Sequence, residues 1–404
     1  MKHAVIIPLI GGEAIGVEKA TGKPPEYMLS YTPFAANDSH LVNYYKQRGL
    51  DIPYHNLDEG QPKFDTKVDS VSSVCPCAGL SALSTTSSSD NEKNEWMYKT
   101  AEYVFENIQP RVYWGENAPG LMSNIGLGVR KRLIEIASSN GYTASFYRTK
   151  SLLHGVPQVR NRSFFFFWKG DKAPVFDYFD RPFPSIEELI ANEKSNFQTE
   201  PINSKIPSED PFYRYVLEEI GGGVSHKEFV ASYERFGIPV RGNDVVSIIE
   251  STPGHPHSKV ETWLRERGHE KQANYIRRIQ DKEAIGKGVM RRNTIIPKGH
   301  IGAFIGHYPT MLTHPVEDRY ISYREAMTIM GLPPDFELLR PRSSINHICQ
   351  NVPVQTAADM AAEVENALEK PDSREWVSGT VMQYNTTRSF TVENSTSSSL
   401  STFF

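Results

Sequence analysis

Three stretches of the sequence carry side chains suited to covalent or charge chemistry. Cys75-Pro76-Cys77 places two thiols one residue apart, directly behind the run Val71-Ser72-Ser73-Val74. A thiol where a buried strand emerges into a loop is well placed to act as a nucleophile, and Pro76 restricts the backbone that enters Cys77. Glu116 stands at the polar tip of another apolar run, Arg111-Val112-Tyr113-Trp114. Arg160 and Arg162 fall on one side of an extended segment, where two fixed guanidinium groups could hold a phosphate or a carboxylate. Each residue also has an ordinary structural role open to it. A buried cysteine is more often a small core residue, as Cys75 reads here, while Glu116 could cap a helix and the arginines could make surface ion pairs.

The elements that would position these groups alternate between strand and helix. Val5-Ile6-Ile7 reads as a first buried strand, and Ile10-Gly11-Gly12 as a turn into a helix. Such a turn lets a nucleotide-like ligand approach the backbone at the strand's carboxyl end. A second strand is expected near Tyr27 to Tyr31. Asp38, the first acid after it, could bind ribose hydroxyls or cap a helix, and Asp58 stands similarly after a third strand at Ile52-Pro53-Tyr54. The small, polar run from Ala82 to Asp90 reads as a loop able to close over a substrate. Helices are expected from Trp96 to Asn107 and from Gly126 to Ser139. Strands at Thr143 to Arg148 and Ser163 to Trp168 bracket Gly155-Val156-Pro157-Gln158-Val159-Arg160-Asn161-Arg162.

The chain of 404 residues, 39% hydrophobic and 23% charged, is long enough for two or three domains with a sizeable core. Its early apolar run, Ala4 to Ile10, is too short to span a bilayer and reads as a strand rather than a secretory signal. Three cysteines cannot build a disulfide framework and suggest a reducing compartment, and their spacing does not suit a zinc site. The net charge of −4 hides a contrast. Residues 171–250 carry eight Lys/Arg against fifteen Asp/Glu, whereas 256–300 carry eleven against five, with Trp263 and Tyr275 among them. One face can therefore be basic although the protein is not.

Together the motifs resemble the cytosine-5 DNA methyltransferases. The resemblance rests on Pro76-Cys77 followed by Ser81, Glu116-Asn117-Ala118-Pro119-Gly120-Leu121, and Gly155-Val156-Pro157-Gln158-Val159-Arg160-Asn161-Arg162. Further on, it includes Arg319 to Ala326 running into Met330-Gly331-Leu332-Pro333-Pro334-Asp335-Phe336, and the closing Gln350-Asn351-Val352-Pro353. It implies an α/β fold, a Rossmann-like, mostly parallel twisted sheet of the S-adenosylmethionine-dependent methyltransferase type. Residues 1–170 and 314–369 would form the catalytic domain, 171–313 an inserted target-recognition domain, and 370–404 a polar, loosely ordered tail.

The resemblance also implies roles. Cys77 would add to C6 of a flipped cytosine so that C5 can attack a sulfonium methyl group. Glu116, its pKa raised in a water-poor pocket, would bind the ring at N3 and supply a proton. Arg160 and Arg162 would orient the ring and favour the thiolate. S-adenosylmethionine would lie against Ile10, Gly11, Gly12, Asp38, Asp58, Pro76, Asn351 and Val352, with the helix after Asn351 packing on the first strand. No metal is implied. Double-stranded DNA would be met, by a monomer, through Ser81, Gln158, Arg277, Arg278, Arg291 and Arg292, with affinity falling as salt rises. The setting would be the cytoplasm of a bacterial or phage-infected cell, in restriction-modification or phage DNA modification.

The chain departs from the family pattern at three places. Ile7-Pro8-Leu9-Ile10-Gly11-Gly12 stands where Phe-x-Gly-x-Gly-Gly is usual, Ala78 replaces Gln after the nucleophile, and Cys349-Gln350 replaces Ile-Gly. A modified sulfonium donor, a tRNA substrate and a catalytically weak DNA-binding relative therefore stand as alternatives. In the middle segment, Ser258-Lys259-Val260-Glu261 fits a capping box. Val260, Trp263, Leu264, Tyr275, Ile276 and Ile279 have helical spacing, with arginines between them.

Overall fold

Phe164-Phe165-Phe166-Phe167-Trp168 offers no polar position for a solvent face, which suits a strand covered on both sides. In the computed structural model, which describes residues 1–62, 66–81, 87–232, 244–287, 293–306 and 308–393, this run is central. The strands are β1 (His3–Ile6), β2 (Met28–Ser30), β3 (Tyr54–Asn56), β4 (Ser70–Val74), β5 (Val112–Asn117), β6 (Tyr142–Lys150), β7 (Gln158–Val159), β8 (Asn161–Lys169), β9 (Lys172–Pro174), β10 (Ile301–Gly302), β11 (Trp376–Ser378), β12 (Thr380–Tyr384) and β13 (Ser389–Glu393). Nine of them form one sheet in the order β13-β12-β6-β8-β5-β4-β1-β2-β3. It is parallel from β5 through β3, while β8 runs antiparallel to both β5 and β6. Phe164 to Trp168 are all buried in β8, and Trp114 of β5 stacks on Phe166 with ring centroids 5.8 Å apart.

The first helices are α1 (Gly12–Thr21), α2 (Ala35–Gln47), α3 (Glu95–Tyr103) and α4 (Leu127–Ser139). Those of the middle segment are α5 (Ile186–Ala191), α6 (Pro211–Tyr215), α7 (His226–Ala231), α8 (Val245–Ser251), α9 (His257–Glu266) and α10 (Glu270–Ala284), followed by α11 (Tyr323–Ile329), α12 (Pro341–Gln350) and α13 (Val354–Glu369). The chain leaves β1 toward β2 and β3, then returns to lay β4 on the other side of β1. That reversal opens a crevice at the carboxyl ends of β1 and β4, the usual ligand position in such sheets.

Helix α13 packs on α1 rather than on the first strand. A Cβ added at Gly16 would lie 2.6 Å from the Cβ of Ala357 and 2.8 Å from the carbonyl of Val354, so the two helices meet backbone to backbone. Residues 212–296 enclose a separate apolar cluster, including Tyr213, Phe229, Ile248, Trp263 and Ile276, distinct from the two clusters flanking the sheet. The expected capping box at Ser258 does not form. Helix α9 starts two residues earlier, after Pro256, with no side-chain cap, while Ser185, Ser225 and Ser322 make capping boxes with Glu188, Glu228 and Glu325.

The expected loose tail requires a larger correction. Residues 376–393 form three strands, and β12 pairs in parallel with β6, Val381 opposite Ser145. Val381 and Met382 are buried. Gln383 accepts from the Phe176 N–H at 2.8 Å and donates to the Phe176 carbonyl at 3.0 Å, tying the sheet edge to the segment after β9. Phe403-Phe404 lie outside the described residues, as do Arg291, Arg292 and positions 82–86 of the expected loop. Among the described residues no helix is long and apolar enough to cross a membrane. Gln383→Leu leaves two buried backbone groups unpaired and is expected to cost about 2 kcal/mol, read as a lower urea midpoint; a loosely attached tail would give no change.

Candidate active site

Parallel pairing places Val74 opposite Glu116. Cys77, three residues beyond Val74, opens a short 3-10 turn over Ala78–Leu80 at the carboxyl end of β4. Antiparallel pairing sets Glu116 opposite Phe164 and Asn117 opposite Ser163, so the start of β8 reaches the same end of the sheet. Arg162 there forms an ion pair through Nε with the buried Glu116 carboxylate. Cys77 and Glu116 line one cavity of about 330 Å³. The sequence-derived triad of Cys77, Glu116 and Arg162 is thus brought together, and the carboxylate that Arg162 holds is the chain's own.

Arg160 has a different role from a ligand-grasping guanidinium. It is fully buried and donates through Nη1 to the carbonyls of Phe304 at 2.8 Å and Cys349 at 2.9 Å. Gln158, expected at the DNA surface, is also fully buried. Its Oε1 accepts from the Phe304 N–H at 3.0 Å and its Nε2 faces the Met330 sulfur at 3.3 Å. Both residues brace the floor of the site from behind, because β7 pairs with β10 and the chain after β10 covers them.

Burial pushes the Cys77 thiol up, Arg162 pulls it down, the Glu116 charge raises it and Arg160 lowers it. Cys75 and Cys349 are pushed up to about 12 by burial, which makes them poor nucleophiles. Behind the site Glu13, fully buried in the first turn of α1, is driven well above the carboxylate range by burial, with the Glu116 charge adding to the rise.

The residues expected to hold a cofactor separate into wall and support. Pro76 lines the cavity. Gly11 caps α1 in the left-handed region, and Gly12 donates to Oδ1 of Asn351 at 2.8 Å. A Cβ at Gly12 would fall 2.1 Å from the Val352 carbonyl, so the closing motif seals the chain's first turn. Ile10 and Val352 are core residues. Asp38 is not at a strand tip but in the first turn of α2, fully buried and 3.0 Å from the Tyr54 hydroxyl. Burial raises it to about 7 against the bond from the Tyr54 hydroxyl. Asp58 does follow the third strand, and it accepts from the Thr32 N–H at 2.9 Å, one residue before the cavity wall. Ser81 follows the turn after Cys77, and Arg277 and Arg278 are exposed on α10.

Other residues line the wall, and of these Leu9 and Gln350 stood within motifs without being assigned to the site, while Phe34, Asn37, Lys93 and Trp96 had no signal in the sequence. Leu9, Phe34 and Trp96 form an apolar side, with the Phe34 and Trp96 rings 5.0 Å apart, and Asn37, Lys93 and Gln350 supply polar groups. Leu9 occupies the family's first glycine position and adopts φ 53, as Ile7 adopts φ 55. Such left-handed residues cost roughly 1–2 kcal/mol each and persist where surrounding structure holds them. A mixed aromatic and polar wall at the β1/β4 crevice suits an adenosyl amino acid such as S-adenosylmethionine. Among the described residues no cluster of three or more His, Cys, Asp and Glu is placed to hold a metal.

The chain resembles solved methyltransferases over nearly its whole length. A prophage-encoded E. coli protein assigned as a DNA modification methyltransferase is 18% identical, with a TM-score of 0.56, covering 92% of this chain and 100% of its own. The Entamoeba histolytica methyltransferase EhMeth is 11% identical, with a TM-score of 0.52, covering 92% and 99%. At these identities the likeness concerns the fold. No curated protein matches the sequence. The C-5 cytosine-specific DNA methylase family matches residues 6–366, and the chain belongs to that family.

Proposed function

We propose that the protein is a DNA cytosine-5 methyltransferase that flips its target base and attacks it with Cys77. The observation that carries this reading is the meeting of Cys77 and Glu116 at one cavity, with Arg162 ion-paired to Glu116. Cytosine C5 is a poor nucleophile. Addition of the Cys77 sulfur to C6 moves the ring's electrons toward C5, while Glu116 holds a proton at N3. Arg162 fixes the carboxyl that meets the ring, and Arg162 and Arg160 offset part of the burial that disfavours the thiolate. S-adenosylmethionine, held between the Leu9 turn, Phe34 and Trp96, would supply an electrophilic methyl group on sulfur. Loss of the C5 proton to a base then expels Cys77 and restores the ring.

Duplex DNA as substrate is supported by the family and by exposed Arg277 and Arg278 on α10. The same stretch contains arginines engaged within the protein, with Arg265 bonded to Glu261 and Asn274 and Arg267 placed 4.0 Å above the Trp263 ring. A target-recognition role for residues 171–313 agrees with the separate apolar cluster of 212–296. An exposed pair of arginines beside such a cluster suits phosphate contact.

Two measurements follow. Iodoacetamide at pH 9 is expected to label Cys77 and spare Cys75 and Cys349, and Arg162→Met should move the Cys77 labelling profile to higher pH; equal labelling of the three thiols would contradict the ordering. With radiolabelled S-adenosylmethionine, label should enter duplex DNA as 5-methylcytosine and not tRNA, and Glu116→Gln should lower the rate by about a hundredfold or more. Label confined to tRNA would overturn the DNA assignment.

A further inference from the structure

The turn that would meet the donor has few hydrogen-bond donors to spare. The Gly11 N–H donates to the Pro8 carbonyl at 3.0 Å, and the Gly12 N–H donates to Asn351 at 2.8 Å. The Leu9 side chain, which replaces a glycine's hydrogen, lies on the cavity wall. A carboxylate entering here finds these amides engaged. It needs a cation from elsewhere on the wall.

Lys93 is that cation. It lines the cavity with Leu9, Asn37 and Trp96, and among the described residues its side chain makes no ion pair. Its position is fixed by local structure rather than by length alone. The Lys93 N–H is capped by Asn91 Oδ1 at 3.0 Å, and the neighbouring Asn94 donates to the carbonyls of Ser88 and Ser89, both at 3.0 Å. Gly79 packs directly on Asn94, where a Cβ would fall 2.4 Å from Asn94 Oδ1. The short turn bearing Lys93 is thereby fastened to the turn that follows Cys77. On its other side Trp96 packs on Tyr31 and Phe34, at 5.1 and 5.0 Å between ring centroids, and so on the chain just past β2. Lys93 therefore belongs to the wall shared by the nucleophile turn and the post-β2 segment.

We propose that Lys93 binds the carboxylate of the donor's amino-acid end, replacing the backbone amides that this chain has engaged internally. The inference rests on the preceding reading that the cavity takes an adenosyl amino acid. An ammonium–carboxylate contact inside a partly enclosed pocket is charge-assisted and contributes more than a neutral hydrogen bond. The carboxylate fixes the chain of the amino acid, and with it the position of the donor sulfur relative to Cys77.

The test is calorimetric binding of S-adenosylhomocysteine and of its decarboxylated counterpart to the full chain, without DNA or turnover. The parent protein should prefer the carboxylated ligand by about tenfold to a hundredfold. Lys93→Met should abolish that preference by weakening S-adenosylhomocysteine alone, and Lys93→Arg should retain most of it. Lys93 is solvent-exposed, so these variants are expected to fold like the parent, which far-UV circular dichroism checks. An unchanged preference in Lys93→Met overturns the inference. So does a loss of duplex affinity with S-adenosylhomocysteine binding intact, which would make Lys93 a phosphate contact. If the parent binds neither ligand, the adenosyl-donor reading itself fails and this inference with it.

Discussion

The register of three neighbouring strands decides where the chemistry is. Pairing Val74 with Glu116 in a parallel ladder, and Asn117 with Ser163 in an antiparallel one, brings the ends of β4 and β5 and the start of β8 to one edge. A one-residue slip would turn Glu116 from the cavity to the other face of the sheet. The buried ion pair between Arg162 and Glu116 is the electrostatic consequence of that register. A carboxylate so enclosed is costly without a partner, so removing either group would leave an uncompensated charge beside Cys77.

The second constraint is closure of the chain's end onto its beginning. Asn351 and Val352 press on Gly12, and Ala357 presses on Gly16, so α13 can lie against α1 only because both glycines lack side chains. This closure also engages the Gly12 amide, while the Gly11 amide bonds back to the Pro8 carbonyl. The altered glycine turn is therefore closed at its Gly11 and Gly12 amides. It holds Leu9 in the left-handed region and sets that residue on the cavity wall, which leaves the work of holding a charged ligand to side chains such as Lys93.

The parts legible in the sequence were those specified locally. Cys77, Glu116 and Arg162 each sit next to a strongly apolar run, and the strand ends could be read from where those runs stop. Period-two spacing put Arg160 and Arg162 together as a pair, and it could not show that Phe304 and Cys349, far along the chain, would bury Arg160. Gln158 was misplaced for the same reason. Leu9, Phe34, Asn37, Lys93, Trp96 and Gln350 come from separate turns and helix ends along the chain, and nothing in their local spacing links them. The last strands were hidden by the serine-rich composition that follows them, although Val381-Met382 and Val392 are suited to a sheet edge. Asp38 followed the second strand as expected, but α2 carried it into the interior beside the Tyr54 hydroxyl.

The central claim is that one sulfur, that of Cys77, bonds to C6 of an extruded cytosine. Its most direct measurement uses a duplex carrying 5-fluorocytosine with S-adenosylmethionine, because fluorine in place of the C5 proton prevents release of the enzyme. The account predicts a denaturation-resistant protein–DNA complex whose tryptic map places the nucleotide on Cys77. A complex that fails to form on a duplex the enzyme methylates when cytosine is present, or that maps to another residue, would contradict it.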